Sequence, residues 1–112
     1  MINFWTYKKE YKKYKHTILN SIDRALNTGN IFFGNELTKF EKNFARKYKA
    51  KYSVAVKSCT DALYISLKSI GIKQGDEVIT AANTAIPTIS AITLAGAKPK
   101  LVDIGDDYLI NV

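Results

Sequence analysis

Ser58, Cys59, Thr60 and Asp61 stand in unbroken succession between the alternating run YSVAV (52–56) and the helix-like run ALYISL (62–67). Two hydroxyls, a thiol and a carboxylate thus meet at a strand-to-helix junction. A helix N-terminus has unpaired N–H donors and a partial positive charge, so such a junction suits a phosphate. A plain N-cap by Ser58 or Thr60 explains the same residue types. Cys59 as a nucleophile would need a neighbouring base. The single histidine, His16, lies instead among the lysines of the first helix. One cysteine and one histidine also argue against a zinc site.

A second loop of the same kind, AANTAIP (81–87), leaves the next strand and again leads into a helix. In open α/β sheets, ligands bind outside the carboxyl ends of the strands. Neither a G-x-G-x-x-G fingerprint nor a G-x-x-x-x-G-K-[ST] loop is present, so neither a dinucleotide nor a nucleoside triphosphate is indicated. Asp103, Asp106 and Asp107 form an acidic cluster that turn chemistry explains as well as a cation would.

The elements that position these residues follow from periodicity. Tyr14, Ile18, Ile22 and Leu26, with Leu19 beside them, predict a first helix that ends at NTGN (27–30), with Gly29 free to take a left-handed cap. Leu37, Phe40, Phe44, Ala45 and Tyr48 share one face of a second helix, with Asn35 as N-cap. The run 52–56 reads as a buried strand. A third helix is predicted over Thr60–Ile70 with Gly71 as its stop, then a turn at Gly75-Asp76 and a strand over Glu77–Thr80. Pro87 fits the first turn of a helix that runs to Leu94 and stops at Gly96. KLVDI (100–104) is the third expected strand, and GDDYLINV a turn leading to a further element.

The predicted order α-α-β-α-β-α-β argues for an α/β fold with a mostly parallel, helix-covered sheet and right-handed crossovers. We expect a helical segment over 1–50 and the start of a larger domain over 51–112. A three-stranded parallel sheet has open edges and an incompletely covered face, so the expectation is the N-terminal part of a larger domain.

Composition bounds the function. The chain is 46% hydrophobic, with 17 Lys+Arg against 10 Asp+Glu and a formal charge of +7. Fifteen of the basic residues are lysines spread over helix faces, and solvation explains them better than nucleic-acid binding. No apolar run approaches the roughly 20 residues of a membrane helix, and the N-terminal MINFWTYKKEYKKYK lacks an apolar signal core. A lone cysteine suits the cytosol. The expected partners therefore include neither nucleic acid nor membrane.

Three stretches, GNELTKFEKNFARKY, YSVAVKSCTDALYISLKSIGIKQGDEVIT and NTAIPTISAITLAGAKPKLVDI, resemble in order the N-terminal segment of the DegT/StrS-type sugar aminotransferases. The resemblance implies a pyridoxal-phosphate (PLP) enzyme of the aspartate aminotransferase fold, type I, represented by an incomplete large domain. It implies that Ser58, Cys59, Thr60 and Asp61 hold the cofactor phosphate: Thr60 through hydroxyl and backbone N–H, Cys59 and Asp61 through backbone N–H groups. Cys59 stands where glycine is common in that family. Asn83 and Thr84 would line the pocket, and Ala85 would cover the cofactor ring where many members stack an aromatic side chain. Phe32, Phe33 and Gly34 would border the sugar site, and Asp103 matches a structural position.

The resemblance further implies a cytoplasmic homodimer that moves an amino group from an amino acid, typically glutamate, to a nucleotide-linked keto-sugar in glycan biosynthesis. In that family the Schiff-base lysine and the carboxylate on the pyridine nitrogen come from later segments, so no catalytic residue is expected in this chain. The acceptor sugar and the aminated carbon depend on those segments, as does the distinction from dehydratase or regulatory relatives. Two other readings stand beside this one: a truncated or split non-catalytic product, and a basic nucleic-acid-binding module.

Overall fold

The computed structural model describes residues 6–111; Met1–Trp5, part of the stretch searched for a signal core, and Val112, the last residue of the expected C-terminal turn, lie outside them. The chain forms two compact units, Met1–Ala55 and Val56–Val112.

The first unit contains α1 (Lys8–Asn27) and α2 (Asn35–Lys47). Helix α1 follows the predicted stripe, with Glu10 in its first turn and Arg24 in its last, both favourably placed against the helix dipole. It ends where NTGN requires: the Thr28 hydroxyl donates to the Ala25 carbonyl at 2.7 Å, and Gly29 takes φ +69°. Its apolar stripe is exposed except at the half-buried Ile18, and no residue of α1 is buried. The N-cap of α2 is Gly34 rather than Asn35, which is the first helical residue. Gly34 is required sterically, because a Cβ there would lie 2.6 Å from the Asn30 carbonyl oxygen. Along α2 the predicted aromatic face is present, with the Phe40, Phe44 and Tyr48 rings in succession at centroid spacings of 5.7 and 4.6 Å. Ala45 is buried.

The run 52–56 is extended, as its alternation predicts, but pairs with no strand among the described residues. Alternation specifies which face a side chain takes; a strand also needs a neighbour to complete its ladder. Among the described residues, only the Ala55 N–H of this run finds a partner, the Glu41 carboxylate at 2.8 Å.

The second unit contains α3 (Cys59–Ser69), β1 (Glu77–Ala81), α4 (Ile86–Leu94) and β2 (Lys98–Val102). The two strands are parallel, in the register Glu77↔Lys98 to Ala81↔Val102. The last strand begins two residues before the predicted Lys100, because the Lys98 N–H donates to the Asp76 carbonyl at 2.8 Å and opens the ladder there. Pro99 is tolerated because, among the described residues, β2 has β1 on one side and no strand on the other. Ile104, expected at the end of this strand, forms instead an isolated antiparallel bridge with Ile110. Gly75 and Gly96, with φ +94° and +89°, make the turns into the two strands, and the Gly75 N–H donates to the Gly96 carbonyl at 3.2 Å.

Helix α4 packs on both α3 and β2. The buried set of this unit is small: Ala91, Ile92, Ala95, Ala97 and Thr80. Ile79 on β1 and Leu101 on β2 remain 63% and 58% exposed.

Candidate functional site

The phosphate-suited junction is the start of α3. Ser58 has extended backbone angles (φ −154°, ψ 160°) and is the N-cap. Its Oγ accepts from the Asp61 N–H at 3.1 Å, and its carbonyl accepts the first helical bond, from Ala62 at 3.0 Å. The Ser58 hydroxyl also makes a short hydrogen bond to Asp61 Oδ2. This is a variant of the S-x-x-[DE] capping box in which the carboxylate returns to the cap hydroxyl rather than to the cap N–H.

Capping leaves a specific residue of donors. Asp61 N–H is committed to Ser58, but the N–H groups of Cys59 and Thr60 have no partner among the described residues. Thr60 is half-buried, and its hydroxyl belongs to the same turn. Lys57 reaches Asp61 Oδ2 at 3.9 Å and offsets the one negative charge at the turn. The start of α3 therefore offers two backbone donors, a hydroxyl and the positive end of an eleven-residue helix. Cys59 is exposed and unpaired in any disulfide.

The second loop leaves the carboxyl end of β1. Ala82 N–H extends the ladder to the Val102 carbonyl at 2.9 Å, and Thr84 N–H turns back to the Ala81 carbonyl at 3.2 Å. Thr84 Oγ1 donates to Thr88 Oγ1 at 2.8 Å across the start of α4. Ala85 is the N-cap of α4 without a side-chain bond, and Pro87 occupies the first turn. A groove of about 590 Å³ along α4 is lined by Thr84, Ile86, Ile89, Ser90, Thr93 and Leu94. Of the predicted site residues it takes in Thr84 alone.

Ser58–Asp61 and Asn83–Ala85 are thus each assembled locally, at the starts of two helices of one unit. Phe32, Phe33 and Gly34 belong to the other unit. Phe32 and Phe33 are 81% and 92% exposed, and Phe33 takes φ +53°. Gly34 lines a groove of about 500 Å³ with Arg24, Asn30, Asn35, Glu36 and Lys39, among other residues. There the hydrogen bond and charge of Lys39, with a smaller contribution from Arg24, hold Glu36 below the usual carboxylate range.

His16 is exposed on α1, and no group of three metal-ligating side chains occurs among the described residues. Asp103 and Asp107 serve turns: their carboxylates accept from the Ile104 and Leu109 N–H groups at 2.8 and 3.0 Å. Two contributors escaped sequence reasoning, Lys57 and Thr88. Both stand four residues from their partners, each pair running from the residue before a helix N-cap into the first turn, so the spacing points to them once the helix starts are known.

With this geometry in view, known proteins give a consistent answer. Residues 12–112 match the DegT/DnrJ/EryC1/StrS aminotransferase family. The chain belongs to that family. It is 36% identical over 108 residues to the dTDP-3-amino-3,4,6-trideoxy-alpha-D-glucose transaminase of Micromonospora megalomicea subsp. nigra, covering 96% of this chain and 29% of that protein.

Among solved structures, a DegT DnrJ EryC1 StrS aminotransferase from Brucella abortus superposes with a TM-score of 0.90 at 26% identity, over 99% of this chain and 30% of that one. NtdA from Bacillus subtilis with bound cofactor PMP matches with a TM-score of 0.78 at 36% identity, over 83% of this chain and 21% of that one. The fold of this family member is accordingly part of the aspartate aminotransferase type, and the chain spans less than a third of the length of these relatives.

Proposed function

We propose that the chain supplies the phosphate-holding part of the PLP site of an aminotransferase acting on a nucleotide-linked sugar. One observation carries the reading: in a chain of this family, the Ser58-capped start of α3 leaves the Cys59 and Thr60 N–H groups unpaired. The donor set fits a phosphate ester, which accepts several charge-assisted hydrogen bonds and favours a helix N-terminus.

When bound, PLP supplies the electron sink for amino-group transfer. The residues of this chain bind and orient. Cys59 and Thr60 donate backbone N–H groups to the phosphate, and Thr60 adds its hydroxyl. Ser58 and Asp61 hold the turn in shape, so that these donors are set before the ligand arrives. Asn83, Thr84 and Ala85 line the ring side, with Thr84 fixed by Thr88. Phe32, Phe33 and Gly34 border the sugar. An amino-acid donor such as glutamate, a keto-sugar acceptor used in glycan assembly, a homodimer and a cytoplasmic setting complete the proposal. No lysine of this chain is assigned the covalent link to the cofactor.

Pyridoxamine phosphate tests the phosphate grip without aldehyde chemistry on surface lysines. In ¹⁵N-labelled chain, it is expected to shift the Cys59 and Thr60 amide resonances saturably, while pyridoxamine, lacking the phosphate, leaves them unmoved. Equal response to both ligands, or no response to either, overturns the reading.

A further inference from the structure

We propose that the basic face of α1 is a docking surface for a membrane leaflet rich in anionic phospholipid headgroups. The inference goes beyond the phosphate grip and does not rest on it.

The first observation is placement. Residues 8–16 read KKEYKKYKH, with five lysines, a histidine and a single carboxylate. At about 100° per residue, Lys15, Lys8, Lys12, His16, Lys9 and Lys13 fall within roughly 160° of the helix circumference, and Glu10 falls outside that arc. All six basic side chains are exposed. The stretch is about 12 Å long, close to the distance over which physiological salt screens a charge, so the lysines act together on a nearby surface.

The second observation is that this charge is uncommitted. The ion pairs among the described residues lie elsewhere, at Arg24–Glu36, Lys39–Glu36, Lys57–Asp61 and Lys100–Glu77. None of the five ammonium groups meets a carboxylate among the described residues. Lys8, Lys12 and His16, and likewise Lys9 and Lys13, stand four residues apart. Like charges at that spacing oppose the helix, whereas a face kept only for solubility gains from alternating signs. A partner of opposite charge removes the repulsion.

The third observation is the border of the face. Tyr7, Tyr11 and Tyr14 are exposed along one side of it, with the Tyr7 and Tyr11 ring centroids 6.4 Å apart. Lys13 Nζ lies 5.0 Å from the Tyr14 ring centroid. Lysines beside a row of amphipathic rings suit a helix lying at headgroup level. A groove in nucleic acid is read best by the planar fork of arginine, whereas lysine offers a point charge to a diffuse anionic plane. Both arginines of the chain are engaged, Arg24 with Glu36 and Arg46 with Asn43. No helix among the described residues is long and apolar enough to cross a bilayer, and attachment to its surface needs none. The inference thus departs from the expectation, drawn from the missing apolar run, that no membrane is a partner.

The test sediments the full chain with phosphatidylcholine vesicles containing about one-third phosphatidylglycerol. The expected result is saturable binding at about 0.1 M salt that is lost at about 0.5 M, and none to phosphatidylcholine alone. Lys12→Gln/Lys13→Gln is expected to weaken binding roughly twentyfold. Lys12→Ala/Lys13→Ala, which favours the helix, is expected to give the same loss. Lys42→Gln/Lys73→Gln removes equal charge from exposed positions elsewhere and is expected to weaken binding less than about threefold. No binding to the anionic vesicles, equal binding to neutral ones, or equal losses in the two glutamine pairs overturns the proposal. So does tighter binding to a DNA duplex at the same salt, which would assign the face to nucleic acid. No ligand of the cofactor site enters the test, so its failure is distinguishable from failure of the phosphate grip.

Discussion

The starts of α3 and α4 resemble each other in sequence position and differ in chemistry. Both helices belong to the same unit, and each follows an extended segment. At α3, Ser58 caps the helix with its side chain and leaves the N–H groups of Cys59 and Thr60 unpaired. At α4, Ala85 makes no side-chain cap and Pro87 has no N–H, so Ile86 holds the sole unpaired donor of the first two helical residues. The threonine hydroxyl there is turned onto Thr88. The difference separates two kinds of surface: α3 has open N–H donors of the kind that suit an anion, and α4 has a wall.

Five substitutions break or sharpen this contrast. The largest effect is expected at the wall. Ile92, at 2% exposure, is the main apolar anchor of α4. Ile92→Ala is expected to lower stability by about 2–5 kcal/mol, read by denaturant unfolding. A loss below 1 kcal/mol would show that α4 is not held by packing. At the donor end, Thr60→Val keeps the β-branched shape and removes the hydroxyl. Affinity for pyridoxamine phosphate is expected to fall about tenfold, with stability within about 0.5 kcal/mol of the parent. Calorimetric titration showing equal affinity would remove Thr60 from the grip.

Ser58→Ala removes the cap and is expected to cost about 1 kcal/mol in the 56–112 unit. Thr84→Ala, with no cap to lose, is expected to cost less, and a reversal of that order would contradict the distinction between the helices. The smallest effect lies at α2, where Glu36 sits in the first turn. Its carboxyl is held below its ordinary value of 4.5, first by the Lys39 hydrogen bond. A folded-state value below the unfolded one contributes stability above the unfolded value, and the contribution is lost as pH falls through the folded value. Stability of the parent should therefore fall slightly more than that of Glu36→Gln across the acid range. Identical slopes in acid titrations followed by circular dichroism would refute this.

How far these elements could be read from sequence depends on what defines each of them. Helices α1 and α2 are specified by their own stripes and stops, so Tyr14, Ile18, Ile22 and Leu26 sufficed to place α1. The cap of α3 was readable because Ser58 and Asp61 interact within one turn. The run 52–56 was not readable as the structure has it, because strand status depends on a neighbour that local sequence does not contain. The Pro99 position was likewise a question of which side of the strand has a partner. Asn35 has the residue type of a cap, but the close approach of the Asn30 carbonyl to Gly34 set the boundary one residue earlier. At the candidate site, the hydroxyls of Ser58 and Thr60 were legible by type. That Asp61 would give its N–H to Ser58, leaving Cys59 and Thr60 as the open donors, required the backbone geometry.

The bond from the Gly75 N–H to the Gly96 carbonyl ties together the turns that begin β1 and β2. Neither glycine tolerates a side chain readily at its positive φ, and at Gly96 a Cβ would also press on Gln74. Strand alignment is therefore decided at the entry end of the sheet, away from the loop that leaves β1. A substitution at Asn83, Thr84 or Ala85 therefore leaves this tie between the two strand entries untouched.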